Sequence, residues 1–140
     1  MSQLLIRQII ETRLAAAAAL RDVAVKYQNM HFDPPNRERP EDNVYVAAYQ
    51  LPAETRADDL AGEMTTYSGV YQFSVVSPRD VGTKLVGELV AWLSALFPNN
   101  LQLQHDSGLE LQIISPLSEA VAIEGDTDYT ISTSFRYRSL

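Results

Sequence analysis

The sequence predicts an α+β fold: a mixed or antiparallel sheet with two main helices packed on it, plus a long proline-containing arm. Three observations lead there. Apolar residues recur at helical spacing in two segments only. Elsewhere they alternate with polar residues, as strands require. The segments follow the order α-β-β-β-α-β-β-β-β, which contains no repeated βαβ unit. The chain has 140 residues, 46% of them apolar. A single domain over 1–140, large enough to bury a core without disulfide or metal staples, is therefore expected.

Leu5, Ile6, Ile9, Ile10 and Leu14 place the first helix, with Ser2 as its cap. Ala15–Ala19 carry it to about Leu20 and leave room for another element to approach closely. Val23, Val25 and Tyr27 alternate with polar or small residues and read as a short strand. Residues 29–42 hold Pro34, Pro35 and Pro40, which lack N–H groups and hold their predecessors extended. That arm is neither helix nor inner strand, and its length is unusual for a plain connection. "NVYVAAYQLP" (43–52) is apolar on both faces and predicts a central strand, and "VYQFSVVSP" (70–78) predicts the next. The polar stretch between them reads as a connection.

Ser77-Pro78-Arg79-Asp80 supplies a cap, a proline and an acid in the order that opens a helix, and the apolar pattern then runs to Phe97. Its apolar surface is wider than one stripe, so this helix is expected to bury more than one face. Gly82 falls in its first turn and Gly87 is read as a close-packing position. "LQLQH" (101–105) and "LELQIIS" (109–115) flank the turn "DSG". "AVAIE" (120–124) and "DYTISTSFRYR" (128–138) flank "GDT". Two hairpins follow. In the last strand Tyr129, Ile131, Thr133, Phe135 and Tyr137 face one way, and Thr130, Ser132, Ser134, Arg136 and Arg138 the other. One face is packed and one is wet.

Composition excludes several chemistries. There is no cysteine, so disulfides and thiolate metal sites are ruled out. Two histidines without His-x-x-x-His spacing argue against a conventional zinc site. Arg7, Glu11 and Arg13 interrupt the N-terminal apolar run where a signal peptide needs continuity, and no stretch is long enough to span a membrane. The net charge is −7, and residues 99–134 hold six acidic side chains and no Lys or Arg. Such a block is a poor grip for phosphates.

Four patterns suggest chemistry only by their letters. His31 stands beside Asp33 between aromatic and apolar residues, with no Ser or Cys motif to pair with it. "HDSG" (105–108) holds the letters of a serine triad, but a triad is assembled from separate elements, and Asp-Ser-Gly between alternating strands is a turn. "GDTD" (125–128) offers too few ligands for a calcium loop. "GTKLVG" (82–87) lacks the phosphate-loop order. A non-enzymatic protein with no cofactor, no metal site and no catalytic residue is expected.

The order of the plainer segments carries more. The first helix holds Ile6-Arg7. "YQN-H-F-PP" follows, then "VYVAAYQLPA", "GVYQFSVVSPRDVG", "VAWLSALFP" and a closing "FRYR". Over nearly its whole length the chain resembles the bacteriophage tail terminator family, the minor tail protein U-like group of long-tailed phages and prophages. That resemblance implies a homo-oligomeric ring, usually hexameric. Such a ring caps the tail tube, ends its polymerisation and presents a joining surface to the head. Implied partners are further copies of the chain, the major tail tube protein and the head–tail connector protein. DNA passes through without specific binding, and no membrane is involved. The implied location is the virion tail, and the host cytoplasm during assembly.

A ring subunit must reach its neighbour, and the arm residues Asn29, His31, Phe32, Pro34, Pro35, Arg37 and Arg39 are the expected interface, with Tyr27 and Phe32 anchoring the arm. A lumen that passes DNA should repel phosphate. Asp106, Glu110, Glu119, Glu124, Asp126 and Asp128 are the expected acidic lining. Two alternatives stand beside this reading. One is another phage neck or tail-completion protein. The other is a small ligand-binding domain or enzyme using an aromatic sheet face near Tyr49, Tyr71 and Tyr129.

Overall fold

A computed structural model describes residues 3–54, 56–57 and 65–140. The expected Ser2 cap lies outside the described residues. Helix α1 spans Gln3–Arg21 and buries Ile6, Ile9, Ile10, Leu14 and Ala18. It ends on Asp22 in the left-handed region, φ 58°, with Val23 N–H donating to Ala18 O at 3.0 Å. This is a common way for a helix to stop and satisfy a terminal carbonyl. Strands β1 (Ala24–Tyr27) and β2 (Tyr45–Pro52) follow, with a single 3-10 turn at Pro40–Asp42 between them. Two short strands, β3 (Arg56–Ala57) and β4 (Thr65–Thr66), pair with each other in the stretch expected to be a plain connection. Then come β5 (Ser68–Pro78), α2 (Lys84–Leu96), β6 (Gln102–Gln104) and β7 (Glu110–Ile113). β8 (Ser118–Glu119), β9 (Ile123–Glu124) and β10 (Asp128–Ser139) complete the chain.

The main sheet runs β1-β2-β5-β10-β7-β6, with β8 and β9 also on β10. β1 and β2 are parallel and the other pairs antiparallel, so the sheet is mixed. This is the expected α+β architecture. β2 lies inside the sheet, as its two-sided apolar pattern requires. Of the expected 120–124 strand only Ile123–Glu124, β9, forms, and a separate short strand just before that segment, β8, also pairs with β10.

One face of the sheet and the two helices form the core. Register aligns Val46 with Val75 and Ala48 with Phe73 on β2 and β5. It aligns Phe73 with Thr133 and Tyr71 with Phe135 on β5 and β10. Phe73 sits 5.3 Å from Phe97 and 5.9 Å from Phe135, ring centre to ring centre, and Phe97 is 5.4 Å from Phe135. This aromatic cluster ties β5 and β10 to the end of α2. Gly69 has no alternative: a Cβ there would lie 2.6 Å from the Tyr137 hydroxyl oxygen and 2.7 Å from the Leu51 carbonyl oxygen.

Three local expectations are corrected. The second helix starts at Lys84, not at the Ser77-Pro78 signal. β5 carries Ser77 and Pro78 into the sheet opposite Tyr129 and Asp128. The chain then turns through Asp80 and Gly82, both at positive φ, before Thr83 precedes the helix. Long-range pairing with β10 therefore overrides a local cap signal. Gly82 lies outside the helix. Gly87 is exposed, with nothing within 4 Å of where a Cβ would stand, so it is not a packing contact. Of Ala15–Ala19 only Ala18 is buried, and Ala15, Ala16 and Ala19 remain open. α2 buries Val86, Leu89, Val90 and Leu93, with Leu85, Trp92 and Leu96 packed at the flanks.

Candidate functional site

The arm begins with a reversal. Asn29 adopts φ 57° and Met30 N–H returns to Tyr27 O at 3.3 Å. A parallel β1–β2 pair needs a crossover, and the arm supplies it. Returning along a four-residue strand takes only about 13 Å, far less than residues 28–44 span when extended, so most of the arm is surplus to that task. Its root is fastened. The Phe32 ring lies 5.0 Å from Tyr45. Arg37 N–H donates to Asn43 Oδ1 at 2.6 Å, and the Arg37 guanidinium reaches Asp22 Oδ2 at 3.3 Å. Arg39 pairs with Glu41 at 2.7 Å. A backbone hydrogen bond and the Arg39 hydrogen bond hold the Glu41 carboxyl below its usual range. Pro34 and Pro35 lie past the Phe32 anchor, Pro34 exposed and Pro35 half-buried. His31 and Asp33 pair at 3.2 Å with side chains 85% and 89% exposed. An imidazole and carboxylate so open to water are neither pre-oriented nor desolvated for catalysis.

The other letter patterns resolve as turns. His105 and Ser107 bond within their own hairpin turn, Nδ1 to Oγ at 2.8 Å, and Gly108 at φ 93° closes it back to His105 O. Gly125 N–H closes the "GDTD" turn on Asp128 O at 2.7 Å. Among the described residues no group of three or more His, Asp or Glu is placed to hold a metal ion. The three tyrosines of the ligand-binding alternative do not share a face. Register places Tyr49 opposite Gln72 on the open side, whereas Tyr71 and Tyr129 belong to the helix-covered side. Tyr49 is engaged instead with Ser74 Oγ at 3.1 Å, and Ser74 with Ser132 Oγ at 3.2 Å.

The densest buried polar arrangement was not read from the sequence. Tyr137 O–H donates to Gln3 Oε1 at 2.6 Å, and Gln50 Nε2 donates to the Tyr137 hydroxyl oxygen at 2.9 Å. Arg7 Nε donates to Gln50 Oε1 at 3.2 Å, and Gln3 Nε2 to Ser68 O at 3.1 Å. These groups knot α1 to β2, β5 and β10. Burial raises the Tyr137 phenol, against the Gln50 hydrogen bond and Arg7. Beside it, burial raises Glu11 despite Arg7, and Tyr71 more strongly still. The Tyr71 hydroxyl has no hydrogen-bond partner among the described residues. The knot holds amides, phenols and a guanidinium but no nucleophile poised beside a base, so its chemistry is structural. The signal that could have found it is a polar residue, Gln50, at a core-facing strand position.

The six expected acidic residues do not form one patch. Glu124, Asp126 and Asp128 gather at the start of β10, where Glu124 pairs with Tyr129, and Glu119 pairs with Thr133 further along. All four are exposed. Glu110 lies beyond the other end of β10, accepting at its carbonyl from Leu140 N–H at 2.9 Å, and Asp106 sits in the nearby hairpin turn. β10 has 12 residues, so about 35 Å of strand separates the Asp128 end from Glu110, with Glu119 near the middle. On the far flank of α1 from the arm, a groove of about 880 Å³ runs between the helix and the β6 hairpin.

A family model described as phage tail terminator protein matches residues 5–137. The chain belongs to the phage tail terminator family. A solved structure 38% identical in sequence covers 100% of this chain and 96% of its own, with a TM-score of 0.82, so the fold is shared from end to end. Among proteins of curated function none matches. The family assigns the chain a structural role in a phage tail, and no helix among the described residues is long and apolar enough to cross a membrane.

Proposed function

We propose that this terminator-family chain caps the tail tube as a homo-oligomeric ring, most simply a hexamer, ending tube polymerisation and offering the head its joining surface. The observation that carries the reading is family membership over residues 5–137. The architecture supports it. Among the described residues the sheet ends in β1 and β6 with no strand beyond them, a surplus arm stands beside it, and no enclosed site gathers catalytic groups. The partners are further copies of the chain, the major tail tube protein and the head–tail connector protein. The chain works in the virion tail, after assembly in the host cytoplasm.

Asn29, His31, Phe32, Pro34, Pro35, Arg37 and Arg39 make the arm that reaches the neighbouring copy. Glu119, Glu124, Asp126 and Asp128 line the lumen and repel DNA phosphates, so DNA passes without specific binding. Asp106 and Glu110, at the other end of the sheet, are left out of that lining. An assembled ring with those four carboxylates on its outer rim would refute the lining.

The capping role is tested by electron microscopy of tails assembled without this chain. Tubes of irregular and excessive length are expected. Tubes of normal, uniform length would show that something else ends polymerisation.

A further inference from the structure

The arm tip and the α1 groove are two unsatisfied surfaces of one chain, and they lie on opposite flanks of α1. The arm root is held by Phe32 on Tyr45 and by Arg37 on Asp22 and Asn43. The side chains on either side of Phe32 stand open: Met30 is 65% exposed, and His31 and Asp33 more so. The groove is lined by Ile9, Arg13, Ala16, Leu20, Leu103 and Asp106, among others. Leu20 is 93% exposed, and the neighbouring alanines leave the helix backbone close to solvent. The groove's outer wall is β6, the last strand of the sheet order, with no strand on its far side among the described residues.

We propose that the exposed side of residues 30–35 of one copy, with Phe32 remaining on its own Tyr45, seats in the α1–β6 groove of the next. The inference rests on the ring reading above and names the contact that closes it. Four features select this occupant. The arm tip is extended, as its two prolines demand, and an extended segment fits along an unpaired strand edge. Pro34 and Pro35 have no N–H, so the added segment cannot recruit a further strand. The charges are compatible: Arg13 in the groove is opposite in sign to Asp33 on the arm. The donor and acceptor surfaces differ and sit on different sides of the chain, so the contact is head-to-tail, the type that closes into a ring. The anchored root also means that little freedom is lost when the tip docks.

The chain has no cysteine, which makes disulfide trapping clean. Ala16→Cys and His31→Cys are placed on separate chains, mixed, assembled on tail tubes and oxidised. Covalent dimers between the two variants are expected in assembled rings, and a ladder up to ring size from the doubly substituted chain. A control pairing of His31→Cys with Val121→Cys should give none. In parallel, Leu20→Glu should leave the monomer's melting temperature unchanged and raise the concentration for half-maximal ring assembly roughly tenfold. Rings that form without a 16–31 cross-link above the control would overturn this contact and leave the ring reading intact. A chain that stays monomeric on tubes would overturn both.

Discussion

The two faces of the main sheet are built from alternate residues of the same strands, yet they do different work. On β10, Thr133, Phe135 and Tyr137 are buried under the helices, while Arg136 and Arg138, alternating with them, are exposed. On the covered face, aromatic rings meet and a polar knot ties four elements together. On the open face, Tyr49, Ser74 and Ser132 bond among themselves. The difference shows where the fold's energy resides. One face holds the molecule together, so the other face, the edges and the outer side of α1 are free to meet other molecules.

The largest effect should come from opening the covered face. Phe73 is fully buried, with Tyr71, Phe97 and Phe135 around its ring. Phe73→Ala removes the centre of the cluster and should cost about 3–5 kcal/mol, measured by urea unfolding of the monomer. A cost below about 1 kcal/mol would mean that the helices are held to the sheet by something other than this cluster.

The covered face also contains its own finer contrast. Tyr137 and Tyr71 are both fully buried, but among the described residues only Tyr137 has partners for its hydroxyl. Tyr137→Phe removes two hydrogen bonds from the knot, although Gln3 and Gln50 still bond each other, and should cost about 1–2 kcal/mol, whereas Tyr71→Phe removes a hydroxyl with no partner among the described residues and should be neutral or stabilising by about 1 kcal/mol. The pH dependence has the same origin. Both phenols are raised by burial, so the folded chain keeps protons that the unfolded chain loses above about pH 10. Stability is fully present below that pH and is lost as pH rises past it. Tyr71→Phe should flatten the decline, measured as unfolding free energy between about pH 9 and pH 11. An unchanged slope would show that Tyr71 does not titrate with unfolding.

Much of this contrast could be read in the sequence, because it depends on period. The alternation in β10 separates Phe135 and Tyr137 from Arg136 and Arg138 before any pairing is known. The same reasoning found both helices, the central position of β2 and the hairpin around Asp106-Ser107-Gly108. It misplaced the start of α2 because Ser77-Pro78 satisfies a local rule, while register with Tyr129 and Asp128, some fifty residues away, decides the outcome. It missed the Gln3–Gln50–Tyr137 knot for the same reason: each member is unremarkable alone, and only the fold brings them together. The six acidic residues are close in sequence but spread along the length of one long strand. Their common charge was legible, and their separation was not.

The smallest effect belongs to the open face, and it sharpens the comparison most. Arg136 shares a strand with Phe135 and Tyr137, but its side chain is exposed, and its strand position is held through the backbone. Its N–H donates to Ser115 Oγ at 2.8 Å, and its carbonyl accepts from Ile114 N–H at 2.8 Å. Both contacts survive a change of side chain. Arg136→Gln should therefore shift stability by no more than about 0.5 kcal/mol, one position away from residues whose loss costs several times that. If the monomer unfolds normally and the variant fails only in tail assembly, the open face serves contact rather than folding. If Arg136→Gln destabilises the monomer as Tyr137→Phe does, the division of labour between the two faces is wrong.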